Sequence, residues 1–132
     1  MKLVNFGNKD PEYRGYRDQE YDQYLEFDNG MRLEYYHDQD CCEDVYADFQ
    51  NMQVMGPQEK NYVDARDLDF FENILDSIVP IEGLGFYIVT KQGICILVSC
   101  YDIQNGYYND RLELVYGDER KDITQCTKED RW

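Results

Sequence analysis

Positively charged residues are scarce in this chain. Its 132 residues include 13 Lys and Arg against 28 Asp and Glu, which gives a formal net charge of −15 at pH 7. Such a charge repels nucleic acid, anionic membranes and other acidic surfaces. The composition therefore argues against direct binding of nucleic acid or membrane, and it predicts that any macromolecular partner is basic.

Long apolar runs, an export signal and paired-cysteine motifs are also missing. No stretch approaches the roughly 18 apolar residues needed to cross a bilayer, and the opening residues 1–7 are too short for a signal peptide. The five cysteines are an odd number without C-x-x-C spacing, which argues against a disulfide framework or a structural zinc knuckle. These features predict a soluble, intracellular protein with reduced cysteines.

Motifs for catalysis and cofactor binding are few. Gly83 and Gly85 precede a strand pattern rather than a helix, and they lack the Lys and Ser or Thr of a phosphate-binding loop. With 28 acids in the chain, proximity alone nominates no glycosidase-like carboxylate pair. We therefore predict that the protein is not an enzyme and that it uses no cofactor.

One apolar stretch, residues 85–101, stands out from an otherwise polar chain. Along residues 94–101 both sets of alternating side chains are largely apolar, which is typical of a central strand. Lys91-Gln92-Gly93 fits a three-residue hairpin loop with Gly93 in the left-handed conformation. This pattern predicts a central hairpin that carries the core.

Other segments complete the predicted fold. Asp28-Asn29-Gly30 predicts a second hairpin, and one helix is predicted from Asp67, a plausible N-cap, until Pro80 forbids continuation. The apolar face of that helix would comprise Leu68, Phe71, Ile74, Leu75 and Ile78. The predicted class is α+β: an antiparallel sheet built from hairpins with one main helix packed on one face.

The chain length predicts a single domain over residues 1–132. Its core would span about residues 22–117, with an edge strand near residues 3–6, a weaker strand near Val45 and a last strand at residues 111–117. Residues 118–132 are predicted to form a polar tail that could be mobile.

Two motifs resemble those of a known family. Asp-Cys-Cys-Glu at residues 40–43, followed by Val45 and Asp48, and Asn-Gly-Tyr-Tyr at residues 105–108 are similar to the most recognisable motifs of a family of small phage and prophage proteins of unassigned function. The shared order of elements extends over residues 22–117, although Gln104 stands where that family often has Ser. The resemblance implies a phage or prophage setting, and hence the cytoplasm of an infected or lysogenic host cell.

A metal-binding alternative centres on residues 37–43. The candidate ligands are His37, Asp38, Asp40, Cys41, Cys42 and Glu43. Adjacent cysteines in an extended segment point to opposite faces, so one thiol would turn away from such a site. The surrounding carboxylates also disfavour a thiolate, which argues against cysteine nucleophilic catalysis with His37 as the base.

Acidic residues interleaved with tyrosine suggest another kind of function. Carboxylates offer Lys and Arg the charge-assisted hydrogen bonds that phosphates offer, and tyrosine adds contact area at little entropic cost. Such a surface would imitate the phosphate array of nucleic acid. The predicted partner-binding residues are Glu20, Asp22, Glu26, Glu34, Tyr36, Asp38, Asp40, Glu43, Asp44, Asp48, Tyr107 and Tyr108.

The leading hypothesis is a non-enzymatic phage accessory protein that inhibits a nucleic-acid-handling host defence system. Its partner would be a basic nucleic-acid-binding host protein, most simply a CRISPR nuclease, whose basic channel it occupies. The alternative is a protein that binds or sequesters a signalling nucleotide. Its anionic ligand would need a local cluster of the scarce arginine residues, and a deep pocket lined by tyrosine and arginine would favour this alternative.

Overall fold

The structure is a computed structural model that describes residues 1–8, 23–37, 44–55, 64–104 and 111–130. Within these residues the chain forms eleven β-strands. They are β1 (Leu3–Asn8), β2 (Gln23–Phe27), β3 (Arg32–Tyr36), β4 (Asp44–Ala47), β5 (Gln53–Met55), β6 (Ile78–Ile81), β7 (Gly85–Val89), β8 (Cys95–Ile103), β9 (Glu113–Tyr116), β10 (Glu119–Asp122) and β11 (Lys128–Asp130).

Five antiparallel strands form the first sheet, in the order β1-β2-β3-β9-β10. Leu33 of β3 lies opposite Leu25 of β2 on one side and Tyr116 of β9 on the other. These buried side chains alternate with polar neighbours, so one face of the sheet is apolar and the other is polar. The second predicted hairpin is confirmed as β2–β3, and the predicted edge strand as β1.

The central strand of the second sheet is β8. Its order runs β11-β8-β7-β6, and β4 and β5 also pair with β8, so that four strands are bonded to this one. Ile96, Val98 and Cys100 are fully buried, and the residues between them are half-buried. The prediction of a central strand is therefore confirmed, with one face fully buried and the other half-buried.

The loop of the central hairpin has the predicted geometry. Gly93 has a φ of +78°, and its N–H donates to the Thr90 carbonyl at 3.0 Å. The Thr90 N–H in turn donates to the Ile94 carbonyl at 3.0 Å. Gly30 has the same role in the β2–β3 loop, with a φ of +82°. Glycine is suited to both positions because a left-handed backbone costs it nothing.

The predicted α+β class is wrong. The described residues contain no helix of seven residues or more, and the architecture they form is all-β. Where the main helix was predicted there are two short 3-10 helices, Ala65–Asp67 and Ile74–Ser77, and the second leads directly into β6. The helix cap is also one turn earlier than predicted, since the Asp64 carboxylate accepts the Arg66 N–H at 2.9 Å.

Tertiary hydrogen bonds explain why the helix does not form. Between the two 3-10 helices, the Lys91 N–H donates to the Asp69 carbonyl at 2.8 Å, which ties this segment to the β7–β8 loop. Leu68 and Phe70 are buried while Phe71 is exposed, which is the two-residue period of extended chain. The spacing of the apolar residues therefore matched a helix by coincidence. Contacts with residues distant in the sequence determine the backbone conformation of this segment.

One apolar core joins the inner faces of both sheets. Phe49, in the 3-10 helix Phe49–Asn51, lies between them: its ring centroid is 6.5 Å from that of Tyr35 in the first sheet and 6.2 Å from that of Phe86 in the second. The largest fully buried side chains are Phe27, Phe49, Phe70, Phe86, Leu25, Leu33, Ile74, Ile88, Ile96, Leu112, Leu114 and Ile123.

Residues 118–130, predicted as a polar tail, contribute to both sheets. β10 extends the first sheet beside β9, and β11 runs parallel to residues 101–103 of β8. Ile123, between these strands, is 1% exposed, and its N–H donates to the Leu112 carbonyl at 2.9 Å. This part of the chain is integrated into the core, which the polar composition concealed.

Candidate interaction surfaces

Five of the twelve predicted partner-binding residues lie in the described part of the chain. They are Glu26, Glu34, Tyr36, Asp44 and Asp48. The other seven lie outside the described residues: Glu20, Asp22, Asp38, Asp40, Glu43, Tyr107 and Tyr108.

The fold brings Glu26, Glu34 and Tyr36 together on the outer face of the first sheet. They alternate along β2 and β3 with buried apolar side chains, so all three point away from the core. Tyr36 is 46% exposed, whereas both glutamates are half-buried. This face therefore combines carboxylates with an accessible tyrosine, as the interleaved sequence predicted.

Arginines balance the carboxylates on this outer face. The Arg32 Nη2 lies 3.9 Å from the Glu26 Oε1, and the Arg32 guanidinium lies 4.2 Å from the centre of the Tyr24 ring. The Arg120 guanidinium lies 5.4 Å from the centre of the Tyr36 ring. The face is thus mixed in charge, and these residues do not form a stripe of negative charge alone.

Asp44 and Asp48 belong to the second sheet instead. Asp44 begins β4 opposite Ile103, and the Asp48 N–H that follows this strand donates to the Ser99 carbonyl at 2.8 Å. The Asp48 Oδ2 accepts a hydrogen bond from the Asn51 amide at 2.9 Å, while its Oδ1 is buried without a hydrogen-bond partner among the described residues. The structure does not bring these two acids onto the face of Glu26 and Glu34.

The cations of the described chain are mostly engaged within the protein. Seven of its eight Lys and Arg side chains contact a carboxylate or an aromatic ring: Lys2, Arg32, Arg66, Lys91, Arg111, Arg120 and Lys128. In contrast, seven exposed carboxylates have neither an ion pair nor a hydrogen-bond donor within the described residues. They are Asp28, Asp67, Asp76, Glu82, Asp118, Glu119 and Glu129.

None of these seven carboxylates was among the predicted partner-binding residues, although the composition had predicted an acidic surface. They lie at turns, in 3-10 helices and on the strands β10 and β11. Because unpaired acids outnumber free cations, the solvent around the described surface experiences a net negative potential. The four predicted acids that are described, Glu26, Glu34, Asp44 and Asp48, are half-buried, whereas these seven are exposed.

Buried polar side chains flank the two motif segments. The Gln104 amide donates to the Asp102 Oδ1 at 2.6 Å, and both side chains are buried. His37 is buried at the end of β3, and its Nδ1 contacts the Arg111 carbonyl oxygen. A carbonyl oxygen only accepts, so Nδ1 carries a proton and donates it to this contact.

These contacts bear on the two motifs and on the metal alternative. Residues 38–43 and 105–110 lie outside the described residues, but the residues that flank them are neighbours: Asp44 pairs with Ile103, and His37 contacts Arg111. The described residues that flank one motif therefore contact those that flank the other. Of the predicted metal ligands only His37 is described, and no group of three potential ligands is found in the described chain.

A deep pocket lined by tyrosine and arginine together would favour the nucleotide-binding alternative. Arg120 and Arg111 each line a groove on the described surface, and tyrosine lines neither groove. The described residues thus give this alternative no specific support.

The described cysteines are free and differ in accessibility. Burial raises the pKa of the Cys100 thiol far above its ordinary value, and Cys126 and Asp48 nearby add to the rise. Burial also raises the pKa of the Cys126 thiol. Cys95, at the start of β8, is half-buried. Cys100 and Cys126 pack as small apolar residues in the core.

We expect Cys95 to react with a maleimide at least about tenfold faster than Cys100 or Cys126, because only thiolates react and the buried thiols are held protonated and shielded. The measurement is mass-spectrometric labelling over time in a Cys41→Ser, Cys42→Ser background. Labelling in urea, where all three sites should react at similar rates, is the control. Equal native rates at Cys95 and Cys100 would contradict the burial of Cys100.

A further surface feature was missed in the sequence: an apolar groove beside the edge strand β6. Phe71 is 41% exposed and Val79 is 47% exposed, and both side chains line it. We call this the Phe71–Val79 groove; its lining residues are Phe71, Asn73, Asp76, Ser77, Val79 and Val89. Phe71 was predicted to lie on the apolar face of a helix, so its exposure to solvent was not predicted.

Comparisons with known proteins found no match to a family model, to a curated protein or to a solved structure. The phage-protein resemblance therefore stays a prediction. None of the helices within the described residues has the length and apolar character required to span a membrane.

Proposed function

We propose that this protein is a non-enzymatic acidic binding protein that occupies the nucleic-acid-binding surface of a basic partner. The observation that carries the proposal is the imbalance of charge: the chain has 28 acids against 13 cations, and most described cations are engaged within the protein. Exposed carboxylates without ion pairs are therefore available to Lys and Arg of another protein.

The physical basis is the similarity between carboxylates and phosphates as partners for basic side chains. Both are anionic oxygen acceptors, and both form charge-assisted hydrogen bonds with guanidinium and ammonium groups. A groove that evolved to hold nucleic acid is lined by such cations, and a protein with a strongly negative field is steered towards it. Exposed Tyr36 would add contact area on the outer face of the first sheet.

The phage setting implied by the two motifs suggests the more specific form of the proposal. The partner would be a host defence nuclease, such as a CRISPR nuclease, and the protein would act in the cytoplasm of the host cell. A small acidic inhibitor would compete there with guide or target nucleic acid for the same basic channel.

The test is a salt titration of binding to a purified CRISPR nuclease. Because the contacts would be ionic, the association constant should fall at least about tenfold between about 50 and 200 mM salt. Labelled nucleic acid bound to the nuclease should be displaced at the same protein concentration. Salt-insensitive binding, or simultaneous binding of the protein and nucleic acid, would reject the proposal.

Two variants make the titration specific to the unpaired carboxylates. Asp118→Asn with Glu119→Gln removes two exposed charges, and it should slow association and flatten the salt dependence. The matched control, Glu26→Gln with Arg32→Gln, removes an ion pair and leaves the net charge unchanged. Equal effects of the two double variants would indicate that net negative charge is not what drives association.

A further inference from the structure

The Phe71–Val79 groove presents two large apolar side chains to solvent at one place. They come from different elements, since Phe71 precedes the 3-10 helix Ile74–Ser77 and Val79 lies on β6. Val89 of β7 completes the apolar lining. An apolar centre with a polar rim is the usual anatomy of a surface that binds another protein.

The charge around the groove indicates the chemistry of its occupant. Asp76 is the one charged residue among the lining residues, and its exposed carboxylate has no ion pair within the described chain. Asn73 and Asp76 also border a neighbouring groove whose other charged residues are Glu119, Arg120 and Lys121, so that groove is mixed in charge. Asp76 is therefore the acceptor that the lining of the Phe71–Val79 groove offers to a cation of the occupant.

The ring of Phe71 already accommodates a cation. The Lys91 ammonium lies 5.9 Å from the centre of this ring, and the Lys91 Nζ is 4.0 Å from a Glu72 carboxylate oxygen. Both contacts are long and exposed, so they hold Lys91 only weakly. A cation of a partner could replace Lys91 above the ring without leaving a buried charge unpaired.

The backbone beside the groove disfavours a partner that adds a strand. β6 lies at the end of its sheet and pairs only with β7 among the described strands. Pro80, in the middle of this four-residue strand, has no N–H to donate to an added strand. Recognition at this edge must therefore depend on side chains.

We propose that the Phe71–Val79 groove docks a short segment of a basic partner protein. One apolar side chain of that segment would insert between Phe71, Val79 and Val89, and a neighbouring Lys or Arg would contact the Asp76 carboxylate. This inference rests on the proposed function for the basic character of the partner. It adds an apolar anchor, which gives specificity that a diffuse negative field cannot provide.

The test uses three synthetic peptides and an amide chemical-shift titration of the full chain. The first has a leucine flanked by lysine and arginine; the second replaces the leucine with glycine; the third replaces the cations with glutamine. The first peptide should bind about tenfold more tightly than either other peptide. Its shifts should concentrate at residues 71–79 and 87–90.

Two exposed positions supply matched variants. Phe71→Ser should weaken binding of the leucine peptide about tenfold, whereas Met55→Ser, at a residue of similar exposure on β5, should leave it unchanged. Val79→Ser is a second variant of the groove, with the same expected direction. Equal binding of the leucine and glycine peptides, shifts spread over the whole surface, or no effect of either groove variant would overturn the proposal.

The nuclease titration separates this inference from the proposed function. If the nuclease binds with steep salt dependence but Phe71→Ser changes nothing, the groove proposal falls and the proposed function survives. If the leucine peptide binds in the groove but the nuclease does not bind the protein at all, the proposed partner class falls and the groove proposal survives.

Discussion

Replacement of Gly85 with alanine should cost roughly 3 kcal/mol or more of the free energy of unfolding. An alanine Cβ at this position would lie 2.0 Å from the Val98 carbonyl oxygen and 3.0 Å from the Ser99 Cα. Both atoms belong to the backbone of β8, the strand to which four others are bonded. No side-chain rotation relieves the contact, so the pairing of β7 with β8 must open.

Urea denaturation followed by circular dichroism measures this loss as a lower midpoint at an unchanged slope. Gly83→Ala, two residues away, is the matched control. Gly83 has a φ of +76° and open space where its Cβ would be, so alanine there should cost only about 1 to 2 kcal/mol, for the left-handed backbone. Similar losses for both variants would show that the close approach of β7 and β8 at Gly85 does not limit stability.

Ile123→Ala should destabilise the fold by about 2 to 5 kcal/mol, because it leaves a cavity beneath a side chain that is 1% exposed. A chain that ends at residue 117 should lose cooperative unfolding altogether. It lacks β10 and β11, and it also lacks the Gln125 carbonyl that accepts the Gly83 N–H at 2.9 Å. Urea denaturation of both variants checks these expectations.

Gln125→Ala is the control for the Ile123 substitution. The Gln125 side chain is exposed, and its backbone carbonyl is retained in the variant, so its stability should stay within about 0.5 kcal/mol of the parent. If Ile123→Ala were equally neutral, or if the shortened chain unfolded cooperatively, residues 118–130 would be the dispensable tail that their composition suggests.

The candidate surfaces show which features of the binding surface can be predicted from charge and from residue pattern. Composition alone predicted an acidic surface, whereas the individual partner-binding acids were predicted from stretches in which tyrosine interleaves with Asp and Glu. Tyr24 and Tyr35 of those stretches are buried, and Glu26 is balanced by Arg32. Which acids remain unpaired depends on where the few cations fold, and that is a property of the tertiary structure.

Phe71 shows why the apolar groove was not predicted. In the sequence it follows Phe70 directly, and helical spacing placed it on the apolar face with Leu68. In the extended backbone that forms instead, Phe70 and Leu68 point inwards and Phe71 points outwards. The local signal was this two-residue period, and a four-residue segment is too short to distinguish it from a helical pattern.

The structural elements that depend only on neighbouring residues could be predicted from the amino-acid sequence. Alternation along residues 94–101 and glycine in the left-handed loop position predicted the central hairpin, since pleat and turn geometry depend on neighbouring residues only. The tertiary structure decided what depends on distant partners: the extended backbone at residues 68–71, the burial of Ile123, and which carboxylates lack a cation. Hydrogen bonds and burial between segments far apart in sequence outweigh the weak local preference of a short apolar repeat.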